Sequence, residues 1–277
     1  MNEVVKYDNY MNSLNFSKFN KIDMNIFLTL CNRMKDKNTQ KISLNFELLR
    51  ELTNYKKSNS IDQFANDLEK MNEKLMRVTC KLRTQTETIM FVLFPTFKIN
   101  RDKQLLTVSV NEEFRFILNE LVKNFTRFDL KEFIELDSKY SKTLYRLLKQ
   151  YRTTGKYEVS IEDFREKMDC PKSYSNKYVM DLVIKPSLKE LKEKEYFQNL
   201  KCEPKYARKR GKPVIGYIFT FTPENTKIHP DQSQVNREKK SRNKNYANGF
   251  ANFTQRTYDY EELERDLLNL AQGRDDA

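Results

Sequence analysis

The side chains of this chain that most clearly suggest a chemical role are its cations. Their charge suits the neutralisation of phosphate. The sequence holds 51 Lys and Arg against 39 Asp and Glu, which gives a formal net charge of +12. Such a surplus favours a polyanion as partner, because each phosphate that a cation neutralises releases condensed counterions. A Lys-rich protein that is merely soluble has the same composition, so charge alone leaves both interpretations open.

The densest basic run lies between two predicted strands, at residues 197–202 and 215–221. Gly211 would allow a tight turn at its tip. This position predicts a wing that contacts the DNA backbone or enters the minor groove, although a charged run is usually a solvated loop. The cations of the run are Lys205, Arg208, Lys209, Arg210 and Lys212.

Catalysis, metals and cofactors find little support in the remaining residues. His229 is the only histidine, which excludes paired-histidine metal sites. The 5 glycines form neither a GxxxxGK nor a GxGxxG pattern, so a nucleotide-binding loop is not expected. The 4 cysteines lie far apart and are expected to be reduced thiols. We therefore expect no enzyme activity, no metal and no cofactor.

Nothing in the sequence directs the chain to a membrane. No apolar run reaches the roughly 18 residues that a membrane-spanning helix needs. Residues 1–20 are polar and lack a signal-peptide core. The chain is expected in the cytoplasm.

The elements that must position the cations follow a plan that occurs twice. In each copy, a β-like tripeptide leads into a short apolar helix, a polar turn, a long amphipathic helix and two β-rich runs. The first copy begins at Ile42 and the second at Val159. This order describes a winged helix. The sequence predicts an α+β fold with two tandem winged-helix domains, residues 1–123 and 124–225, and a partly disordered C-terminal tail, residues 226–277.

The first domain offers a weaker phosphate site. Lys56, Lys57 and Ser58 lie just before its long helix, where backbone N–H groups and two ammonium groups suit a phosphate. A plain solvated turn is an equal alternative.

The wing of the first domain is predicted from two β-rich runs, residues 90–99 and 105–110. Residues 90–97 carry no charge, and Pro95 suits an edge strand. We expect this run to form a dimer edge, with a cover for the domain's own core as the alternative. No Pro-rich or Ser-rich linker separates the two domains, so we expect them to pack closely.

A basic stripe marks the helix predicted at residues 138–152 of the second domain. Its leucines and Tyr151 recur at the spacing of a buried face. The cations on the other side predict an exposed ridge that contacts phosphate. The members of this ridge are Lys139, Lys142, Arg146, Lys149 and Arg152.

The predicted recognition helix, residues 176–194, follows a polar turn. Its apolar residues are expected to face the core. These are Val179, Leu182, Val183 and Leu191. The polar residues at its start are expected to hydrogen-bond base edges and phosphates, unless they only cap and solvate the helix. That set consists of Lys172, Ser173, Tyr174, Ser175, Asn176, Lys177 and Asp181.

The second domain also holds a series of short segments in a characteristic order. They are YSKTLYRLLKQYR at 140–152, Gly155, VSIEDFR at 159–165, VIKP at 183–186 and LKEL at 188–191. Together they resemble the initiator replication proteins of theta-replicating, iteron-containing plasmids. The resemblance extends over about residues 1–222.

The resemblance implies a tandem winged-helix initiator that binds directly repeated origin sequences as monomers, represses its own promoter as a dimer and takes part in plasmid copy control. It also implies that the first domain dimerises and touches the DNA backbone, whereas the second reads bases. Members of the family carry arginines just before a Val-Leu-x-Pro-like segment, where this sequence has Asp181 and Leu182. A transcriptional repressor without an initiation role is the competing hypothesis.

The C-terminal tail combines a basic linker with an aromatic and acidic segment. Residues 226–245 are polar and are predicted to be disordered or to lie on DNA. Residues 250–268 resemble a C-terminal segment of replication proteins from mobile elements of Gram-positive bacteria. We expect this segment to dock onto a host helicase loader or initiator, with folding back onto the winged helices as the alternative. The docking residues would be Phe253, Tyr258, Tyr260, Leu263, Leu267 and Leu268.

Overall fold

The computed structural model describes residues 3–14, 16–78, 80–83, 86–112, 115–119, 121, 124–208 and 211–224. The predictions for Lys209, Arg210 and the tail therefore lie outside the described residues. The chain forms two compact units, of which the larger spans Met1–Cys80 and Phe91–Glu224 and contains elements of both predicted domains. The smaller unit includes residues 81–90.

The first half of the chain alternates short strands and helices. In chain order its elements are β1 (Val4–Asp8), a 3-10 helix (Asn9–Ser13), α1 (Lys21–Met34), β2 (Ile42–Asn45), α2 (Phe46–Leu52), α3 (Ile61–Leu75), β3 (Cys80–Arg83), β4 (Thr88–Phe91), β5 (Thr96–Asn100), β6 (Leu105–Ser109) and α4 (Arg115–Leu118). Asn20, Asn45 and Ser60 begin α1, α2 and α3, because each side chain accepts a hydrogen bond from a first-turn N–H group. Such caps satisfy donors that have no partner inside the helix.

The second half repeats the same kinds of element. In chain order they are β7 (Phe125–Asp129), α5 (Leu130–Ile134), α6 (Lys139–Gln150), β8 (Lys156–Ser160), α7 (Ile161–Lys167), α8 (Asn176–Tyr178), a π-helical segment (Val179–Ile184), α9 (Lys185–Glu193), β9 (Lys201–Tyr206) and β10 (Val214–Thr220). Ser138, Ser160 and Ser175 cap α6, α7 and α8. We call residues 176–193, which run without a break through α8, the π-helical segment and α9, the composite helix.

Each half contains a three-stranded sheet of the same topology. The order is β2-β6-β5 in the first half and β8-β10-β9 in the second, with antiparallel neighbours. In both, the strand before the short helix pairs with the last strand of the hairpin. Leu44 lies opposite Leu106, and Tyr157 lies opposite Phe219. The two tandem winged helices predicted from the order of elements are confirmed.

Aromatic side chains fill the core of each half. In the first, the rings of Phe46 on α2 and Phe64 on α3 lie 5.4 Å apart, and both side chains are buried. In the second, Phe164 on α7 lies 5.0 Å from Tyr217 and 5.8 Å from Phe219 on β10. Buried rings contribute large apolar areas and favour such edge and offset contacts. The helices of each half therefore pack on a separate aromatic core.

A further ladder joins the two halves. β1 pairs antiparallel with β7, and Val5 lies opposite Phe128. Helix α6 contacts α1 of the first half and α9 of the second. This arrangement agrees with the expected close packing of the halves. The predicted domain boundary falls between residues 123 and 124, so it places the paired strands β1 and β7 in different domains. This boundary stays a prediction.

The apolar run at residues 90–99, predicted as one strand, forms parts of two. β4 ends at Phe91 and β5 begins at Thr96, and the exposed Pro95 lies between them, where its missing N–H removes no ladder hydrogen bond. Leu93 and Phe94 are buried, so this part of the run covers the core of the first half. β5 lies at the edge of its sheet, and the dimer edge stays a prediction.

Candidate nucleic-acid interface

The turn before the composite helix is held in place from both sides. The Ser175 Oγ atom accepts a hydrogen bond from the Tyr178 N–H group at 3.3 Å. Arg165 Nη2 on α7 donates to the Tyr174 carbonyl at 2.7 Å and to Asn176 Oδ1 at 3.0 Å. A planar guanidinium that spans two acceptors fixes their relative position. The turn is therefore a rigid platform for its exposed polar side chains, which include Lys172, Ser173 and Lys177.

The π-helical segment in the composite helix has a local cause. Pro186 lies in the first turn of α9 and has no N–H group. In a regular α-helix its ring would collide with the carbonyl of Leu182, four residues earlier. The Lys185 N–H group instead donates to the carbonyl of Met180, five residues earlier. The wider turn lets the helix continue through Pro186 and moves later residues to new positions around the helix axis.

That shift corrects one prediction about the core. Val179, Val183 and Leu191 are buried as expected. Leu182 is not, because 51% of its surface is exposed. Ile184 takes the core position instead, five residues after Val179, as the π spacing requires. Tyr178, one turn before Leu182, is 53% exposed. The outward face of the composite helix is thus partly apolar.

Asp181 lies on the same face and keeps its charge through an ion pair. Lys185 Nζ donates to Asp181 Oδ1 at 2.7 Å. This hydrogen bond lowers the pKa of the Asp181 carboxyl below its ordinary value. The carboxylate is therefore an acceptor with a fixed partner.

The predicted wing is the hairpin of β9 and β10. The Ala207 N–H group donates to the Pro213 carbonyl at 2.9 Å and closes the tip. Gly211 has φ +81° and Lys212 has φ +39°, so the tip uses the left-handed region that glycine adopts without steric cost. The side chains of Arg208 and Lys212 are exposed.

Lys205, at the base of the wing, is already engaged. Its Nζ atom donates to Glu158 Oε1 on β8 at 2.5 Å. This hydrogen bond lowers the pKa of the Glu158 carboxyl. Lys156 adds a second ion pair to the same carboxylate at 3.2 Å. Phosphate binding by Lys205 would have to compete with this pair.

The predicted basic ridge on α6 is wrong for most of its members. Lys142, Arg146, Lys149 and Arg152 are buried. Lys142 Nζ donates to the carbonyls of Phe133 and Ile134 at 2.5 and 3.2 Å. Its burial lowers the pKa of the Lys142 ammonium to about 7. This cation completes the end of helix α5 and does not face solvent.

The other buried cations of α6 tie distant segments together. Arg146 Nη1 donates to the Met11 carbonyl at 3.0 Å. Lys149 Nζ lies 2.8 Å from Glu224 Oε1 and 3.5 Å from Glu132 Oε2, while Arg152 Nε lies 3.7 Å from Glu224 Oε2. Periodicity identified the two faces of α6, but both faces are covered in the fold. Lys139, at the start of the helix, is half-buried and pairs with Asp169 at 2.9 Å.

The corresponding surface of the first half is largely self-neutralised. Lys57 Nζ donates to both carboxylate oxygens of Asp67 on α3, each at 2.9 Å. The Ser58 Oγ atom accepts the Ser60 N–H at 3.0 Å, while the side chain of Lys56 is exposed. At the wing turn, Arg101 Nη2 lies 2.8 Å from Glu69 Oε1. Among the residues that the structure describes, Lys57 and Arg101 of the first half are thus already paired at positions equivalent to the second-half site.

Sequence reasoning missed a pair of equivalent arginines. Arg50 is the fifth residue of α2, and Arg165 is the fifth residue of α7. Arg50 Nη2 donates to the Ser58 carbonyl at 2.5 Å, as Arg165 does to the Tyr174 carbonyl. Each arginine lies ten residues before the serine that caps its long helix, Ser60 or Ser175. Alignment of the two copies of the plan was the signal that could have found them.

Within the residues that the structure describes, no group of three or more His, Cys, Asp or Glu side chains could hold a metal ion. Among these residues, too, no helix is long and apolar enough to cross a lipid bilayer.

The fold consists of two winged helices in tandem. The second has an exposed cationic turn, a helix that can enter the major groove and a basic hairpin. These features define the class of winged-helix DNA-binding proteins. The chain belongs to the initiator replication protein family. The family model described as "Initiator Replication protein, WH1" matches residues 4–149, and "Initiator Rep protein, WH2" matches residues 160–221. The resemblance seen in the sequence is thereby confirmed.

Two known proteins show the extent of the similarity. A probable replication protein of Bifidobacterium longum (strain NCC 2705) is 34% identical over 225 residues, which cover 80% of this chain and 74% of that protein. The crystal structure of Pi initiator protein in complex with iteron DNA matches with a TM-score of 0.62 and 14% identity, over 81% of this chain and 99% of that one. The second similarity shows the fold that the two proteins share.

Proposed function

We propose that this protein initiates plasmid replication by binding directly repeated DNA sites at an origin. The observation that carries the proposal is the exposed cationic surface of the second half, formed by the turn at 171–175, the start of the composite helix and the wing. Membership of the initiator family supports it. The solved initiator of the same fold, which is bound to iteron DNA, supports it as well.

In this proposal the composite helix enters the major groove and the wing contacts the adjacent backbone. Lys172 and Ser173 meet phosphates, and the helix start reaches base edges through Tyr174, Ser175, Asn176 and Lys177. The wing contributes Arg208, Lys209, Arg210 and Lys212, with Lys205 joining them once it leaves Glu158. The first half adds backbone contacts at Lys56, Lys57 and Ser58. The buried Lys142, Arg146, Lys149 and Arg152 take no part.

Initiation then proceeds by mechanical means. Several copies on adjacent repeats bend the DNA, and their binding energy destabilises an AT-rich neighbour. No covalent step is needed, so the protein acts without catalytic residues. A dimer that forms through the β5 edge would repress the promoter, and residues 250–268 would recruit a host helicase loader or initiator in the cytoplasm.

Footprinting on the DNA that flanks the gene tests the proposal. The wild-type chain is compared with a wing variant in which Arg208, Lys209, Arg210 and Lys212 are changed to Ala. The matched control removes the same charge from exposed lysines outside the proposed interface. Its residues are Lys18, Lys37, Lys41 and Lys70.

The expected result is evenly spaced protection over direct repeats, weakened by the wing variant and retained by the control. A single palindromic footprint would favour the repressor hypothesis, since a two-fold symmetric dimer binds a symmetric site. The absence of any specific footprint would overturn the proposal.

A further inference from the structure

The outward face of the composite helix carries an apolar pair that the fold does not use. Tyr178 and Leu182 lie one turn apart, and they are 53% and 51% exposed. The ring of Tyr174 in the preceding turn lies 6.2 Å from the ring of Tyr178, at an interplanar angle of 72°. We call Tyr174, Tyr178 and Leu182 the apolar ridge.

Packing inside the protein does not require this ridge. The opposite side of the same helix is filled by Val179, Val183 and Ile184, each with 0% exposure. Single exposed apolar residues are common on protein surfaces. Neighbouring apolar side chains that are exposed together on one face of a helix are more typical of a binding site.

The charges around the ridge indicate what covers it. Lys172 and Lys177 are exposed, and within the described part of the chain no carboxylate pairs with either of them. Lys189, about two turns beyond Leu182, is also exposed and lies 3.8 Å from Glu193. The carboxylate already placed on this face, Asp181, is paired with Lys185 at 2.7 Å. An apolar strip flanked by cations complements the major groove of duplex DNA, which has phosphates at its rims and base edges at its floor.

The floor of the major groove offers one apolar group, the C5-methyl of thymine. We propose that Tyr178 and Leu182 recognise thymine methyl groups, so that the DNA repeats preferred by this chain carry thymines at the positions facing the ridge. This inference rests on the proposed function and adds the chemistry of its specificity. Tyr178 and Leu182 lie about one turn apart on the helix, so the two side chains reach thymines at different base pairs.

The test replaces thymines by deoxyuridine in a duplex that carries one repeat. Deoxyuridine keeps the hydrogen-bonding groups of thymine and lacks only the methyl group. Binding of the full chain is measured by fluorescence anisotropy, one thymine at a time. Affinity is expected to fall about fourfold for each methyl group that the ridge contacts, which corresponds to the burial of one methylene-sized group. The remaining thymines should give no change.

Variants of the ridge then connect the methyl groups to residues. Leu182→Ala and Tyr178→Ala should each bind the unmodified repeat more weakly and lose the response to one deoxyuridine position. The matched control is Leu48→Ala, which truncates an exposed leucine on α2 of the first half and should keep the full response. Thermal unfolding of each variant confirms that it is folded, because neither Tyr178 nor Leu182 is part of the core.

The outcomes separate this inference from the proposed function. If the repeats bind but no deoxyuridine position matters, the inference is overturned and the proposed function stands. A response that persists in both ridge variants also overturns it, because another residue must then read the methyl groups. Weaker self-association of the variants with unchanged DNA binding would make the ridge a protein interface. If no repeat binds at all, both the inference and the proposed function fail.

Discussion

The two winged helices of this chain share a scaffold and differ in how they treat their cations. Both fix the turn before the long helix with an arginine from the short helix, Arg50 or Arg165, and cap the long helix with a serine. In the first copy, Asp67 on the long helix pairs with Lys57 in that turn. In the second copy, Lys172 and Lys177 have no carboxylate partner among the described residues.

The wings differ in the same way. In the first copy, Arg101 at the turn between β5 and β6 folds back onto α3, where it meets Asn66 and Glu69. In the second, Lys212 at the longer tip is exposed and pairs with no carboxylate in the described part of the chain. A basic residue near the start of a helix therefore does not indicate DNA binding when a carboxylate of the same protein already pairs with that residue. We expect the second copy to supply most of the affinity.

The largest expected effect comes from removing the exposed cations of the second copy. Lys172, Lys177 and Lys212, all changed to Ala, should weaken binding by about 1 kcal/mol for each cation, roughly 100-fold in total. The salt dependence should fall by about 3 units of slope, since each lost phosphate contact removes about one. Anisotropy titrations at several salt concentrations measure both quantities.

The matched triple in the first copy sharpens that result. Lys56, Lys57 and Arg101 changed to Ala removes the same charge, but two of these cations are already paired within the protein. The loss should stay below about tenfold. Equal losses from the two triples would break the comparison between the copies.

The second prediction compares the effect of a buried and of an exposed lysine of the second half on the free energy of unfolding. Burial lowers the pKa of Lys142 from 10.5 in its ordinary state to about 7. Between about pH 7 and 10.5 the unfolded chain therefore binds more protons at this residue, and its contribution to the free energy of unfolding rises with pH. Below about pH 7 the contribution is constant, and the cost of burying the charge is fully present.

Lys142→Met should remove this rise. The difference in slope from wild type is at most about 1.4 kcal/mol per pH unit, the value for one proton. Urea unfolding at pH 7, 8 and 9 measures it, and the exposed Lys172→Met is the control that should keep the wild-type slope. Parallel curves for wild type and Lys142→Met would contradict the burial of this ammonium.

The two turn-fixing arginines provide a third comparison. Lysine in place of Arg165 or Arg50 loses the planar fork that spans two acceptors, so each variant should lose about 1 kcal/mol of unfolding free energy. Only Arg165→Lys should also weaken DNA binding, by about fivefold. In the turn of the first copy, Lys57 is already paired with Asp67, whereas among the described residues neither Lys172 nor Lys177 has a carboxylate partner. Similar affinity losses in both would show that the first copy contacts DNA as strongly as the second.

The smallest effect tests the neutralisation of the first copy directly. Burial tends to raise the pKa of Asp67, but hydrogen bonds from Lys57 and Tyr55 outweigh it and the pKa is lowered. Asp67→Asn keeps an oxygen acceptor for the Tyr55 hydroxyl and releases the charge of Lys57. DNA affinity should increase by about 0.5 kcal/mol, and the salt slope should increase by up to one unit. Unchanged binding would mean that the ion pair between Asp67 and Lys57 is not what keeps Lys57 from contributing to DNA affinity.

Much of the fold could be predicted from the sequence because it follows from local backbone geometry. The capping serines, the apolar spacing of α3 and α6, and the turn at Gly211 depend on residues close in the chain. The duplicated order of elements predicted both winged helices, and the segments from 140 to 191 indicated the family. The start of the composite helix was predicted as a site because the exposure of its polar residues follows from the same local pattern.

Only the tertiary structure decides which charged side chains are buried and whether Leu182 is exposed. Helical spacing separates two faces of α6, but it cannot say that the polar face is covered as well. Arg146 is buried because the segment around Met11 comes to it, and Lys149 because Glu224 does. Leu182 faces outward because Pro186 imposes a π turn that shifts the face of the helix. Periodicity is a local property of the chain, whereas the environment of a side chain depends on which distant segments pack against it.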